Sequence, residues 1–223
     1  IKGVNEIFFK VNETTNRIQI DLFDNLKVES ISYGNTELKY SRKHNAIFID
    51  FEETLEAGEK HSILVRYSGV PIVAPLPPWN GGFVWSKNKG KHWIGVACEH
   101  MGASSWWPNK DHLSDKVDSM TINLQVPVNY QGISNGNLLS MKKIDEDYVN
   151  FEWFVSYPIN NYNETFYLVN FNEVFTNESN SYNIDYYVLP DNIKIAKTYY
   201  EQTKDIIEVF ERLYGEYPFA RDG

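Results

Sequence analysis

Ala46-Ile47-Phe48-Ile49-Asp50-Phe51 sets Ile47, Ile49 and Phe51 on one side of an extended chain. A period of two belongs to a strand with one buried face. The same alternation recurs upstream in Arg17-Ile18-Gln19-Ile20-Asp21-Leu22 and downstream in Ser62-Ile63-Leu64-Val65-Arg66-Tyr67. Turn-forming clusters separate these runs: 12–16, Tyr33-Gly34-Asn35, 42–45 and Glu56-Ala57-Gly58-Glu59. Such turns are rich in residues that tolerate tight backbone geometry. Short strands at this spacing indicate an antiparallel sheet or sandwich.

The strand pattern resumes in the second half. Residues 118–126 place Met120, Ile122, Leu124 and Val126 on one face, and 149–155 do so with Val149, Phe151, Trp153 and Val155. Residues 165–171 and 182–188 complete the set, while 129–137 is turn-rich. No internal repeat or low-complexity run appears. From 191 to 213 the period changes. Ala196, Tyr199, Thr203, Ile206, Phe210 and Leu213 recur three or four residues apart, and Ile193, Tyr200, Ile207 and Tyr214 widen the stripe. That is an amphipathic helix, with Asp191 as the expected N-cap and Gly215 as its stop. The expected architecture is therefore mainly β, an antiparallel sheet or sandwich followed by one long C-terminal helix. A domain border is expected at Leu189-Pro190, dividing 1–189 from 190–223.

Composition bounds the function. The chain has 223 residues, 42% hydrophobic and 15% aromatic, enough for a core of its own. A net charge of −9 speaks against nucleic acid, which needs a basic face. No apolar run approaches the roughly 20 residues of a membrane-spanning helix. The single cysteine permits no intrachain disulfide. The chain opens on Ile1-Lys2-Gly3 and closes on Ala220-Arg221-Asp222-Gly223, and we expect a fragment of something longer.

Between the two strand-rich halves the alternation breaks. Pro71, Pro75, Pro77 and Pro78 remove backbone donors. Phe83-Val84-Trp85 and His92-Trp93-Ile94 fit a short hairpin around 87–91, within what is otherwise a long surface loop. Then comes Val96-Ala97-Cys98-Glu99-His100-Met101-Gly102-Ala103-Ser104-Ser105-Trp106-Trp107-Pro108-Asn109-Lys110-Asp111-His112. His100 and His112 with Glu99 and Asp111 are metal-ligand types, but their spacing matches no known site, and ordinary loop hydrogen bonding is the simpler reading. Cys98 would be a nucleophile only beside a base, and next to Val96 and Ala97 it reads as a buried filler. Trp106 and Trp107, with Trp79, Trp85 and Trp93, could build a sugar-stacking platform or simply pack. Glu99 stands at the end of a short strand beside a glycine turn, where a carboxylate could meet an amine. No His-Glu-x-x-His zinc signature, nucleophile elbow, phosphate loop or dinucleotide fingerprint is present.

Taken together, several stretches resemble the aminopeptidase N family of zinc metallopeptidases, the gluzincin group that includes leukotriene A-four hydrolase. They are Cys98-Glu99 followed by Trp106-Trp107-Pro108-Asn109-Lys110-Asp111-His112, with its Pro-x-x-Asp turn; Thr121-Ile122-Asn123-Leu124-Gln125-Val126-Pro127 followed by Ser134-Asn135-Gly136; and Tyr217-Pro218-Phe219 with Asp222-Gly223. The resemblance implies a saddle-like N-terminal β domain followed by the opening helix of a catalytic domain. It implies zinc in the parent enzyme but no cofactor or metal ligand in this chain, which is then expected to be inactive alone. By the match at the Cys-Glu pair, Glu99 would bind the substrate's free α-amine, with Ala97, Cys98, His100 and Met101 as its neighbours. Many members carry Gln where this chain has Ala97, so one polar contact is missing. The implied partners are the catalytic domain of the same chain and peptide N-termini. A docking face left open would favour self-association. The alternative from another class is a β-sandwich binding module for carbohydrate or protein, with no peptidase partner. The triplets Asn12-Glu13-Thr14, Asn163-Glu164-Thr165 and Asn177-Glu178-Ser179 fit the glycosylation pattern, and the composition leans toward a secreted or periplasmic bacterial protein.

Overall fold

Turns of Gly, Asn and Asp fold the first third of the chain into seven antiparallel strands. In the computed structural model these are β1 (Lys2–Lys10), β2 (Thr15–Asp21), β3 (Leu26–Tyr33), β4 (Thr36–Glu37), β5 (Lys39–Lys43), β6 (Ala46–Leu55) and β7 (Lys60–Gly69). The structure describes residues 1–98, 100–170, 173–178 and 183–222, with the backbone alone at Asn88, 173–178 and Asn183. One sheet has the order β1-β7-β3-β4 and the other β2-β6-β5. The alternation read from the sequence is what buries their facing sides: Ile20, Ile47, Ile49, Phe51, Ile63, Val65 and Tyr67 are all buried. Phe51 of β6 meets Phe9 of β1 at 6.4 Å and Tyr33 of β3 edge-on at 5.6 Å, so the two sheets close as a sandwich. Arg42 of β5 ties them at one rim, its guanidinium donating to the carbonyls of Leu22 and Leu26.

The chain continues through β8 (Gly82–Asn88) and β9 (Lys91–Ala97), the hairpin expected around 87–91. It goes on through β10 (Met120–Pro127), β11 (Gln131–Ser134), β12 (Asn137–Lys143), β13 (Tyr148–Val155), β14 (Phe166–Val169), β15 (Glu173–Glu178) and β16 (Asn183–Val188). It divides into two units. The first comprises Ile1–Val84, Val96–Lys116 and Asn160–Glu164, and the second Trp85–Gly95, Val117–Ile159 and Thr165–Gly223. In the second unit β10-β13-β12 form one sheet and β11-β14-β9-β8 another, with β15 and β16 as a separate hairpin. Ile122, Val126, Phe151, Trp153 and Val155 form a buried cluster joined by Ile133 and Leu168. The Trp153 indole N–H donates to the carbonyl of Gly132 at 3.0 Å, which satisfies the one polar atom of a buried ring. The 129–137 stretch expected as turns contains β11, whose four residues are too few to show alternation. The predicted strands over 165–171 and 182–188 match β14 and β16 in part; Phe171 and Tyr182 lie outside the described residues.

The helical region consists of α1 (Ile193–Tyr200) and α2 (Gln202–Tyr214), joined at Glu201, which keeps helical dihedrals of φ −56 and ψ −29. Asp191 is not the N-cap. Pro190 starts a single 3-10 turn over Pro190–Asn192, Asn192 takes the cap position, and the Asp191 carboxylate instead accepts from Lys89 at 2.6 Å. Proline's fixed φ favours a first helical turn, which moves the start past Asp191. Gly215 ends α2 as expected, at φ 95, its N–H donating to the carbonyl of Glu211 at 2.9 Å. Ala196 packs with Tyr186 and Val188 of β16, and Tyr186 stacks on Tyr200 at 4.2 Å. An open groove of about 800 Å³ runs beside α1, lined by Trp93, Tyr167, Tyr187, Ala196 and Tyr199. Beyond α2 the chain is tied back to the residues that follow β13. Asp222 accepts from the Ser156 N–H at 2.8 Å and its hydroxyl at 2.6 Å, and Phe219 sits edge-on to Tyr157 at 5.3 Å.

Candidate functional site

A strand, a tight turn and a polar latch follow one another from Val96 to Asp111. β9 ends at Ala97, and Cys98 enters the first unit's interior at 2% exposure. The Cys98 thiol donates to the carbonyl of Tyr162 at 3.3 Å, with the Glu164 carbonyl at 3.7 Å. Burial pushes that thiol up to about 11, the opposite of what a nucleophilic cysteine needs. The reading of Cys98 as a buried filler therefore holds.

Glu99 lies outside the described residues. The Gly102 N–H donates to the carbonyl of Cys98 at 2.7 Å. Gly102 has φ 91, a region that favours glycine. A Cβ there would also fall 2.2 Å from Asp111 Oδ2, so the carboxylate occupies the space a side chain would need. Opposite the loop a Cβ on Gly81 would come within 2.4 Å of the Ala97 carbonyl and 3.0 Å of the Met101 side chain. Ala97, Met101 and the described part of the turn are thus packed closely from one side, whereas His100 is exposed.

The latch is built from residues with no individual signature in the sequence. Asp111 Oδ2 accepts from the Ser104 N–H at 3.0 Å and the Ser104 hydroxyl at 2.6 Å. The Asn161 side-chain amide donates to Asn109 Oδ1 at 3.0 Å and to Asp111 Oδ1 at 3.3 Å. Asn109 and Asp21 exchange both backbone bonds, at 2.7 and 3.1 Å, and Asp21 Oδ2 also accepts from the Asp111 N–H. Asn109, Asn161, Ser104 and Ser105 are all buried, so this network answers the demand that buried polar groups be paired. The Pro108-x-x-Asp111 turn, noted in the sequence only as part of a resemblance, is the piece that reaches β2. The Asn161 contacts span 50 and 52 positions and leave no local pattern to read.

The structure also sorts the other candidates. His112 turns to Ser114, whose N–H donates to its Nδ1 at 3.2 Å, while Asp111 is committed to Ser104, so these two do not converge. Among the described residues no group of three or more His, Cys, Asp or Glu side chains is placed to hold a metal ion. Trp106 and Trp107 meet edge to face at 6.2 Å, and Trp107 is buried. Trp93 lies 5.4 Å from Tyr167, whereas Trp79 and Trp85 are exposed. Among the described residues no helix is long and apolar enough to cross a membrane.

No protein-family model matches this sequence, and no curated protein matches it. The fold, by contrast, recurs in solved structures. A mutant of an M1 zinc metallopeptidase from Deinococcus radiodurans superposes with a TM-score of 0.76 over 98% of this chain, at 17% identity. The unmutated enzyme of that organism gives 0.74 at 16% identity, and the mutant bound to a Tyr-Ser-Ala substrate gives 0.75 at 17%, both over 98% of this chain. In each case the match spans 50% of the other chain, so this chain covers about half the length of the structures it resembles. At these identities the likeness establishes the fold: a β-rich arrangement shared with zinc metallopeptidases.

Proposed function

We propose that this chain is the amino-terminal β portion, with the first helices of the catalytic portion, of a zinc-dependent aminopeptidase. The observation that carries the proposal is the match of nearly the whole chain to M1 zinc metallopeptidases over only half their length. In this reading the border between the two portions lies at Leu189-Pro190; β16 ends at Val188 and a 3-10 turn begins at Pro190. In the same reading the zinc ligands of the parent belong to the remainder of its chain, since the His-Glu-x-x-His signature is not in this one. The exposed apolar side chains of α1 and α2 are the surface on which that remainder would pack.

In this reading Glu99 binds the free α-amine of the substrate. A carboxylate facing an ammonium forms a charge-assisted bond and sets where the first peptide bond lies relative to the reacting centre. In the full-length enzyme Glu99→Ala should lower kcat/KM on aminoacyl anilides by about tenfold to a hundredfold, the range of a lost hydrogen bond to a charged group. Wild-type kinetics for that variant would refute the role. The chain by itself should not hydrolyse such substrates even with added zinc, and turnover at ordinary enzymatic rates would refute the division of labour.

A further inference from the structure

Asparagine is followed by glycine at two places, Asn80-Gly81 and Asn135-Gly136. Asparagine is a thermolabile residue, and glycine has no Cβ to screen its own backbone nitrogen. That nitrogen can attack the Cγ of the preceding asparagine. The N–Cγ bond forms, the Cγ–Nδ2 bond breaks, and the displaced amide leaves as ammonia with the glycine's proton. Water then opens the cyclic imide at either carbonyl, giving aspartate or its β-linked isomer, isoaspartate. The two pairs sit in different settings. Asn135 is half-buried, and its Oδ1 accepts from the Thr165 N–H at 2.8 Å. Asn80 is exposed, and among the described residues neither its side-chain amide nor the Gly81 N–H has a hydrogen-bond partner. The Asn80 backbone N–H donates to the Leu76 carbonyl at 2.8 Å, which braces the turn and leaves the side chain free to rotate.

We propose that Asn80 is a site of spontaneous modification in the folded protein, converted to aspartate and isoaspartate, while the bond from Thr165 shields Asn135. The fold keeps the labile pair in place. A Cβ at position 81 would fall 2.4 Å from the Ala97 carbonyl oxygen, so no bulkier and slower-reacting residue fits after Asn80. Both products put a carboxylate into 67–86, a stretch without a charged residue. Isoaspartate also adds an atom to the backbone just before Gly81, where the Ala97 carbonyl and the Met101 side chain leave no room. Accumulated isoaspartate therefore loosens the packing of Gly81 on Ala97 and Met101.

The test ages the native protein, and the same protein in guanidinium chloride, at mildly alkaline pH. Tryptic peptides are followed by mass, and isoaspartate is counted with an isoaspartate-specific methyltransferase. In the native protein Asn80 should convert about tenfold faster than Asn135, which must first give up its bond to Thr165. In denaturant the two rates should converge. Asn80→Gln should remove the product at position 80 and leave Asn135 intact. Aged wild type should unfold at a lower denaturant concentration than Asn80→Gln aged alongside it. Asn80 that stays intact in the native protein while converting in denaturant, or equal native rates at the two sites, overturns the proposal. Equal unfolding midpoints for the two aged proteins overturn the packing consequence.

Discussion

In β6 and β7 the alternating apolar side chains lie against a facing sheet of the same unit, and Ile47, Ile49 and Val65 are fully covered. In α2 an equally regular apolar stripe stands largely in the open, with Phe210 58% and Leu213 63% exposed. The two stretches are equally periodic. Periodicity marks which side of an element seeks cover, but not whether the same chain supplies it. β7 pairs with β1 and β3, and β6 with β2 and β5, so these strands find their partners within one unit. The helical region comes last, and α1 meets β16 through Ala196 and Tyr200. Its open side is the surface on which the proposed remainder of the parent chain would pack.

The contrast can be broken first at the covered side. Ile49→Ala in β6 should cost about 4 kcal/mol, the transfer loss plus an unfilled cavity, read as a lowered urea midpoint at unchanged slope. A cost under about 1 kcal/mol would mean that the sandwich interface is not the core described above.

A second consequence concerns Cys98, whose folded thiol is raised to about 11 from an ordinary 9.0. The sign follows from proton counting. Between these values the folded state keeps a proton that the unfolded state has lost, so this stabilisation is whole below pH 9 and falls as pH rises toward 11. Relative to Cys98→Ala, the wild type should therefore lose about 3 kcal/mol across that window. At pH 8 the native thiol should also resist alkylating reagents, with about one molecule in a thousand ionised. Fast labelling without unfolding would contradict the burial of Cys98.

Much of the fold was legible because burial and local sequence coincide. The face assignments of β2, β6, β7, β10 and β13 followed from alternation alone. The turn at Gly215 followed from its residue type. The N-cap was misplaced because Pro190 competes with Asp191 to start the helical region, and β11 was missed because four residues carry too little pattern. The latch was illegible for a different reason: Asn109, Asn161 and Ser104 are ordinary polar residues until folding places them together, and only their burial makes them costly to change. Asn161→Ala should accordingly destabilise by about 2 kcal/mol, leaving acceptor oxygens of Asn109 and Asp111 unpaired; a neutral effect in thermal or urea unfolding would reduce the latch to a surface contact. Smallest of all, Phe210→Ser on the open side should change stability by less than about 0.5 kcal/mol while lowering self-association of this chain in sedimentation experiments. A large loss of stability there would show that the stripe is already covered.

The central claim is that this β-rich chain belongs to a zinc-dependent aminopeptidase. It is tested most directly by assaying the complete protein on aminoacyl anilides with free and with N-acetylated amino groups, before and after treatment with a chelator. The account predicts hydrolysis of the free-amine substrates only, lost on chelation and restored by zinc. Equal hydrolysis of the acetylated substrates, or no hydrolysis by the zinc-loaded protein, would contradict it.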